Sequence, residues 1–336
     1  MKVQIFASAV TAAMLLTAGA HAGTLEDVKK RGHVICSSTV GSPGFSMPDD
    51  SGKRTGLEVD VCRAIAAAVL ADPEKYKTIT LNPAQRFTAL QAGEVDLLLN
   101  TTTWTLSRDG NGALFAGVTF YDGQGVMVKK GSIGSAKELD GGSICTNQGS
   151  TTELNLLDFF RANKVSNEVI TFATVQEASA AYQAGRCDAW SADGGILASF
   201  RSKMNKPDEH IILKERLSKE PLGAAVRQGD DPWLNVVRWT LFAMHAAEEL
   251  GLNSKNIAEQ AASSTNPEIL RFVGKEGALG KVLGLPPDWA MQIVAKVGAY
   301  DEVYDRNVGK DSPLKIERGL NASWKNGGLF YAPPVR

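Results

Sequence analysis

Three short stretches combine hydroxyls, amides and formal charges in a way that suits capture of a small charged molecule. The first, Asn100-Thr101-Thr102-Thr103-Trp104-Thr105-Leu106-Ser107-Arg108, follows an apolar run ending at Leu99. A planar guanidinium such as that of Arg108 grips a carboxylate through two parallel hydrogen bonds; an arginine in a Ser-Arg-Asp-Gly loop also fits a solvated surface charge. The second, Gly149-Ser150-Thr151-Thr152-Glu153, contains Ser-x-x-Glu, a capping box that satisfies the free N–H groups at a helix start. Those same groups attract anions, and a cap formed by Ser150 leaves the N–H and hydroxyl of Thr151 for a carboxylate. The third runs from Gly185 to Asp193. Cys187, Ala189, Ser191 and Asp193 share one strand parity, which puts Asp193 at a strand end, where it suits an ammonium group or caps the turn at Gly194-Gly195.

The elements that must position these loops alternate between short apolar runs and helical periods, the pattern of an α/β chain. Strands are expected at His33 to Ser37, Asp96 to Leu99, Ser143 to Thr146, Val169 to Phe172 and Cys187 to Ala192. Helices are expected at Gly56 to Leu70, Thr151 to Asn163, Thr174 to Gly185 and Asp231 to Leu250, with one more opening at Pro286-Pro287-Asp288 and carrying Trp289, Ile293, Val297 and Tyr300. In open α/β sheets ligands bind beyond the carboxyl ends of strands, which is where all three loops fall.

Residues 1–22 read as a cleavable secretory signal: Lys2 supplies the positive start, an apolar stretch runs to Leu16, and Ala20-His21-Ala22 gives the small-x-small cleavage pattern. Cleavage is expected after Ala22, with Gly23 as the other choice. The remaining 314 of 336 residues are long for one core and imply two domains. They carry 35 basic and 37 acidic residues, a net of −2, which argues against nucleic acid or an anionic membrane as partner. Four cysteines, Cys36, Cys62, Cys145 and Cys187, in an exported chain suggest two disulfides, with three pairings open. No two lie close enough to form a structural zinc pair, and no metal or cofactor is expected.

Taken together, Gly93-Glu-Val-Asp96, Asn100-Thr101-Thr102-Thr103, Thr105 with Arg108, Gly149-Ser150-Thr151 and Gly185-Arg186-x-Asp188 with Asp193 resemble, in order and spacing, the motifs of the extracytoplasmic solute-binding proteins of amino-acid ABC transporters, family 3. The C-terminal part resembles the subgroup of general L-amino acid binding periplasmic proteins. The resemblance implies the two-lobed periplasmic binding protein fold of type II, with lobe 1 discontinuous (23–127 and 223–336, including a helical C-terminal extension) and lobe 2 at 128–222. It implies that Arg108 holds a ligand's α-carboxylate with help from Thr103 and Thr151 next to Ser150, and that Asp193 holds the α-ammonium with oxygens of Thr101 and Thr103. It further implies intralobe disulfides Cys36–Cys62 and Cys145–Cys187. The aromatic that many members carry after the first strand is replaced here by Val40-Gly41-Ser42-Pro43-Gly44, leaving Phe45 or Trp104 to supply an apolar wall. The function implied is that of a monomeric, periplasmic, non-enzymatic carrier of free L-amino acids to an inner-membrane ABC permease. The alternative is an exported dehydratase on the same fold acting on a cyclic amino acid. Acid–base chemistry would call for a histidine or a carboxylate of raised pKa in the cleft, and His33, His210 and His245 do not fall in the three loops.

Overall fold

The computed structural model describes residues 23–336, so the signal sequence at 1–22 lies outside the described residues. In chain order the strands are β1 (Val34–Ser38), β2 (Met47–Pro48), β3 (Arg54–Thr55), β4 (Tyr76–Thr80), β5 (Ala113–Asp122), β6 (Gln124–Lys129), β7 (Ser143–Asn147), β8 (Glu168–Phe172), β9 (Ala189–Asp193), β10 (His210–Ile212) and β11 (Glu220–Arg227). β1 and β4 run parallel. The stretch expected to be a strand at Asp96 to Leu99 joins them only through single bridges, Cys36 to Leu97 and Leu98 to Ala225, which link β1 to the antiparallel pair of β11 and β5. These elements form the sheet of lobe 1. Lobe 2 is a five-stranded sheet in the order β10-β6-β9-β7-β8, with β7 parallel to β8 and β9.

The chain crosses between lobes where partners change. β5 pairs with β11 as far as Asp122, while β6 pairs with β9 from Gln124, so the first crossing falls at Gly123. The return lies between Leu217, whose N–H donates to Gln124, and Glu220, the first residue of β11. Both crossings precede the boundaries expected at 127/128 and 222/223. The border falls at Asp122-Gly123-Gln124, a polar break between the two strands, where the hydrogen-bond partner also changes.

The helix Leu57–Leu70 is buried on nearly all sides, its alanines 64 and 66–68 letting neighbours approach closely. The extension contributes to the same core through Trp289, Ile293, Tyr300 and Tyr304. It is also tied by polar contacts, since Asp60 accepts from Arg63 at 2.8 Å, Arg306 at 2.9 Å and Asn307 at 2.7 Å. The single helix expected to carry Trp289 through Tyr300 is two helices, Trp289–Lys296 and Tyr300–Asn307. Gly298 between them adopts φ +109°, a conformation that ends the first helix.

Disulfides join Cys36 to Cys62 within lobe 1 and Cys145 to Cys187 within lobe 2, so neither ties the lobes together. They close chain segments of 26 and 42 residues, for which loop-closure entropy gives about 2–4 kcal/mol of stabilisation each. Adding reductant is therefore expected to move the urea unfolding midpoint to lower denaturant while leaving ligand affinity of the folded protein intact; an unchanged midpoint would show the bridges to be mechanically idle.

Candidate functional site

The turn after Leu99 is built by buried charge. Asn100 and Thr101 both adopt positive φ, 40° and 42°, which side chains with a Cβ rarely accept. The conformation is held from three sides. Asn100 Nδ2 donates to the carbonyl of Leu81 at 2.7 Å, Arg86 Nη1 donates to the carbonyl of Asn100 at 2.8 Å, and the Glu58 carboxylate accepts from the Thr101 N–H. Burial pushes Glu58 up to about 7 against the pull of the Thr101 N–H and Arg86. Burial, with the nearby Arg108, pushes Arg86 down to about 9, still protonated at neutral pH.

On the lobe 2 side, Ser150 caps the helix Thr151–Asn163, its hydroxyl accepting from Glu153 N at 3.2 Å. Glu153 reaches back to the N–H of Gly149, one residue beyond the usual capping-box partner, leaving the Thr151 hydroxyl facing the cleft. Asp193 ends β9, and its side chain makes no capping bond to the helix Gly194–Arg201. Asp122 supplies that bond instead, accepting from Gly195 N at 2.8 Å. The Asp193 carboxylate consequently makes no side-chain hydrogen bond among the described residues. Its pKa is raised well above the ordinary carboxylate range by burial and by the neighbouring Glu220 and Asp122. Asp122 is pushed up to about 6, again mainly by burial.

These groups meet at a cavity of about 70 Å³ between the lobes, space for several waters or one small solute. Thr101, Thr103, Ser150, Thr151 and Asp193, all singled out from sequence, line it. Arg108 is not among the lining side chains. Its Nη1 donates to the carbonyl of Thr103, a residue that does line the cavity, at 2.6 Å, and its guanidinium lies over the Phe87 ring at 5.3 Å. Phe45 and Trp104 do not form the apolar wall. Phe45 is buried edge-on against Phe120, Trp104 stacks on Phe115, and Val40 and Ile196 line the cavity instead.

Sequence reasoning missed Arg86, Ser42, Asn147 and Gln176, which also line the cavity. Each carries a buried polar atom without a partner: Arg86 Nε, Ser42 Oγ, Asn147 Nδ2 and Gln176 Oε1. Gln176 Nε2 donates to the carbonyl of Gly41 and Ser199 Oγ donates to that of Pro43 at 2.7 Å, drawing lobe 2 onto the loop after β1. Arg86, the first residue of the short helix Arg86–Ala92, had no motif to mark it; Asn147, the last residue of β7, was the one exposed to discovery by its place at a strand end.

Two α/β lobes joined by paired crossings, with a polar cavity of small-molecule size between their strand ends, define a solute-binding protein. The chain belongs to the bacterial extracellular solute-binding proteins, family 3, whose model matches residues 34–256. It is 49% identical over 342 residues to the general L-amino acid-binding periplasmic protein AapJ of Rhizobium johnstonii, and 47% identical over 338 residues to the glutamate/glutamine/aspartate/asparagine-binding protein BztA of Rhodobacter capsulatus, each match covering 100% of both chains. Among solved structures it resembles an ABC transporter periplasmic binding protein from Brucella ovis with glutathione bound, at 49% identity and TM-score 0.91, covering 94% of this chain and 100% of that one.

Proposed function

We propose that the protein captures free L-amino acids in the periplasm, as a monomer and without chemistry of its own, and delivers them to an inner-membrane ABC permease. The observation that carries this is the Asp193 carboxylate, half-buried, without a side-chain hydrogen bond among the described residues and lining the same small cavity as hydroxyls from both lobes. An α-ammonium group satisfies that carboxylate, with oxygens of Thr101 and Thr103 beside it. The α-carboxylate goes to Arg108, with the backbone N–H groups of Thr103 and Thr151 assisting, since both threonine hydroxyls donate to Glu220. The remaining wall, Ser42, Arg86, Asn147 and Gln176, offers both donors and acceptors, which favours polar side chains. The relatives named above bind acidic and amide amino acids, L-amino acids in general, or glutathione, and all of these ligands carry a free α-amino acid end. Of the groups the dehydratase alternative would use, no histidine lines the cavity among the described residues, and His245 is packed between Tyr300 and Phe330, whereas one carboxyl of raised pKa, Asp193, does line it.

A thermal-shift screen of ligand-stripped protein against the standard L-amino acids, glutathione, sugars and dicarboxylates tests the reading. Amino acids at a hundredfold excess over Kd are expected to stabilise the folded state by about 2.7 kcal/mol, and sugars not at all. Loss of water or ammonia from an incubated amino acid would establish the dehydratase instead.

Affinity is also expected to depend on pH. The free protein's Asp193 holds its proton to higher pH than an ordinary carboxylate, whereas pairing with an ammonium favours the charged form. Binding therefore releases protons, and affinity rises with pH until Asp193 is ionised in the free protein. Lowering the pH through the raised range in which Asp193 titrates weakens binding by up to about tenfold per pH unit. Calorimetry in buffers of different ionisation enthalpy reads the released protons directly; proton uptake would contradict the assignment of Asp193.

A further inference from the structure

One fully buried carboxylate has no part in the roles assigned so far. Glu220 opens β11 at the return crossing and is 0% exposed. Its Oε2 accepts from Thr103 Oγ1 at 2.5 Å and from Thr151 Oγ1 at 3.0 Å, and its Oε1 accepts from Asn155 Nδ2 at 2.8 Å and Ser218 Oγ at 2.6 Å. Thr103 belongs to lobe 1, and Thr151 and Asn155 to the first helix of lobe 2. The two threonine hydroxyls are themselves only 3.2 Å apart. One carboxylate at the crossing thus joins both lobes at the point where they meet.

We propose that Glu220 is an interlobe latch, a positioning residue that stabilises the closed form and adds to the affinity of every ligand alike. The proposal rests on the functional reading above, since it concerns closure around the same cavity. Rotation of the lobes away from each other separates Thr103 from Thr151, and Glu220 cannot then keep both. Its bonds to one lobe exist only in the closed form, so they favour closure by their own free energy whatever ligand lies inside. Hydrogen bonds to a charged acceptor are among the stronger ones, and this acceptor is withdrawn from water. Because the ligand enters the open form, where the latch is undone, the latch slows escape and leaves entry unchanged.

The test uses Glu220→Ala, Glu220→Gln and Asn155→Ala in the full mature chain, with affinity and association and dissociation rates measured for several amino acids of different side chain. Asn155 touches the latch and does not line the cavity, so its loss removes no ligand contact. Glu220→Ala is expected to weaken every amino acid by a common factor of about tenfold to a hundredfold, and Asn155→Ala by about tenfold, both through faster dissociation. Glu220→Gln, which keeps an oxygen for the two threonines, recovers part of the loss. Should Glu220→Ala not fold, Asn155→Ala decides by the same readout. Unchanged dissociation rates overturn the latch, and so does a loss confined to some ligands, which would make Glu220 a side-chain contact. Tighter binding overturns it too, because it would show Glu220 competing with the ligand for Arg108, whose charge it already attracts. If the parent protein binds no amino acid, the functional reading itself fails and the latch with it; binding by the parent with unaltered variants removes the latch alone.

Discussion

Asp193→Asn is expected to weaken amino-acid binding by at least about thirtyfold and, in the absence of ligand, to leave the protein as stable as the parent or more so. The two halves of this result have one cause. Asp193 is half-buried, makes no side-chain hydrogen bond among the described residues, and faces Glu220 and Asp122, so its negative charge is a cost to the folded state. A carboxyl whose pKa is raised on folding destabilises the protein at pH above its unfolded value, and an amide in its place removes that burden. Such a group persists when its function needs it, which is the usual trade between stability and activity. The ligand's ammonium is what neutralises the charge, and removing one partner of a buried charged pair typically costs about 2–5 kcal/mol, or about thirtyfold to several-thousandfold in affinity. Thermal melts with and without a saturating amino acid check both halves at once. A lowered melting temperature in the unliganded variant would mean that Asp193 has a structural partner after all, and retained affinity would remove it from the site.

Much of this site was legible in the sequence because its residues lie where strands end and helices begin, positions with local signals of their own. Ser150 announced itself by Ser-x-x-Glu, and Asp193 by strand parity; the structure then separated Asp193 from capping by giving that bond to Asp122. What sequence could not reach were contributions that depend on tertiary placement. Arg86 opens a short helix with nothing to distinguish it from a surface arginine, and only the fold turns it inward beneath Asn100 and Thr101. Glu220 is separated from Thr103 by 117 residues, and no periodicity links a crossing strand to a loop in the other half of the chain. Phe45, an aromatic beside a cleft loop, was claimed by the core through Phe120 because burying a large ring is worth more than lining a polar cavity.

Arg108→Ala is expected to weaken all L-amino acids by about a hundredfold with little dependence on side chain, because every one of them presents the same α-carboxylate. Two arginines compete for this role, and their surroundings separate them. Arg86 lines the cavity, yet its Nη1 already holds the strained turn at Asn100 and lies close to the carbonyl of Thr101, and its charge offsets the buried Glu58. Arg86→Ala should accordingly lose stability as well as affinity, since it releases the turn and strands Glu58 without a counter-charge. Arg108 donates only to the Thr103 carbonyl among the described residues, so its Nε and Nη2 are free for a ligand, and it feels the pull of Glu220 and Asp193 across the same space. Its removal should spare stability. Comparing each amino acid with its α-carboxamide then isolates the contact. The parent is expected to prefer the acid by about the factor that Arg108→Ala loses, and the variant to bind acid and amide alike. If Arg108→Ala still discriminated against the amide while Arg86→Ala did not, the carboxylate would belong to Arg86, and Arg108 would be a wall residue that holds Thr103 in place.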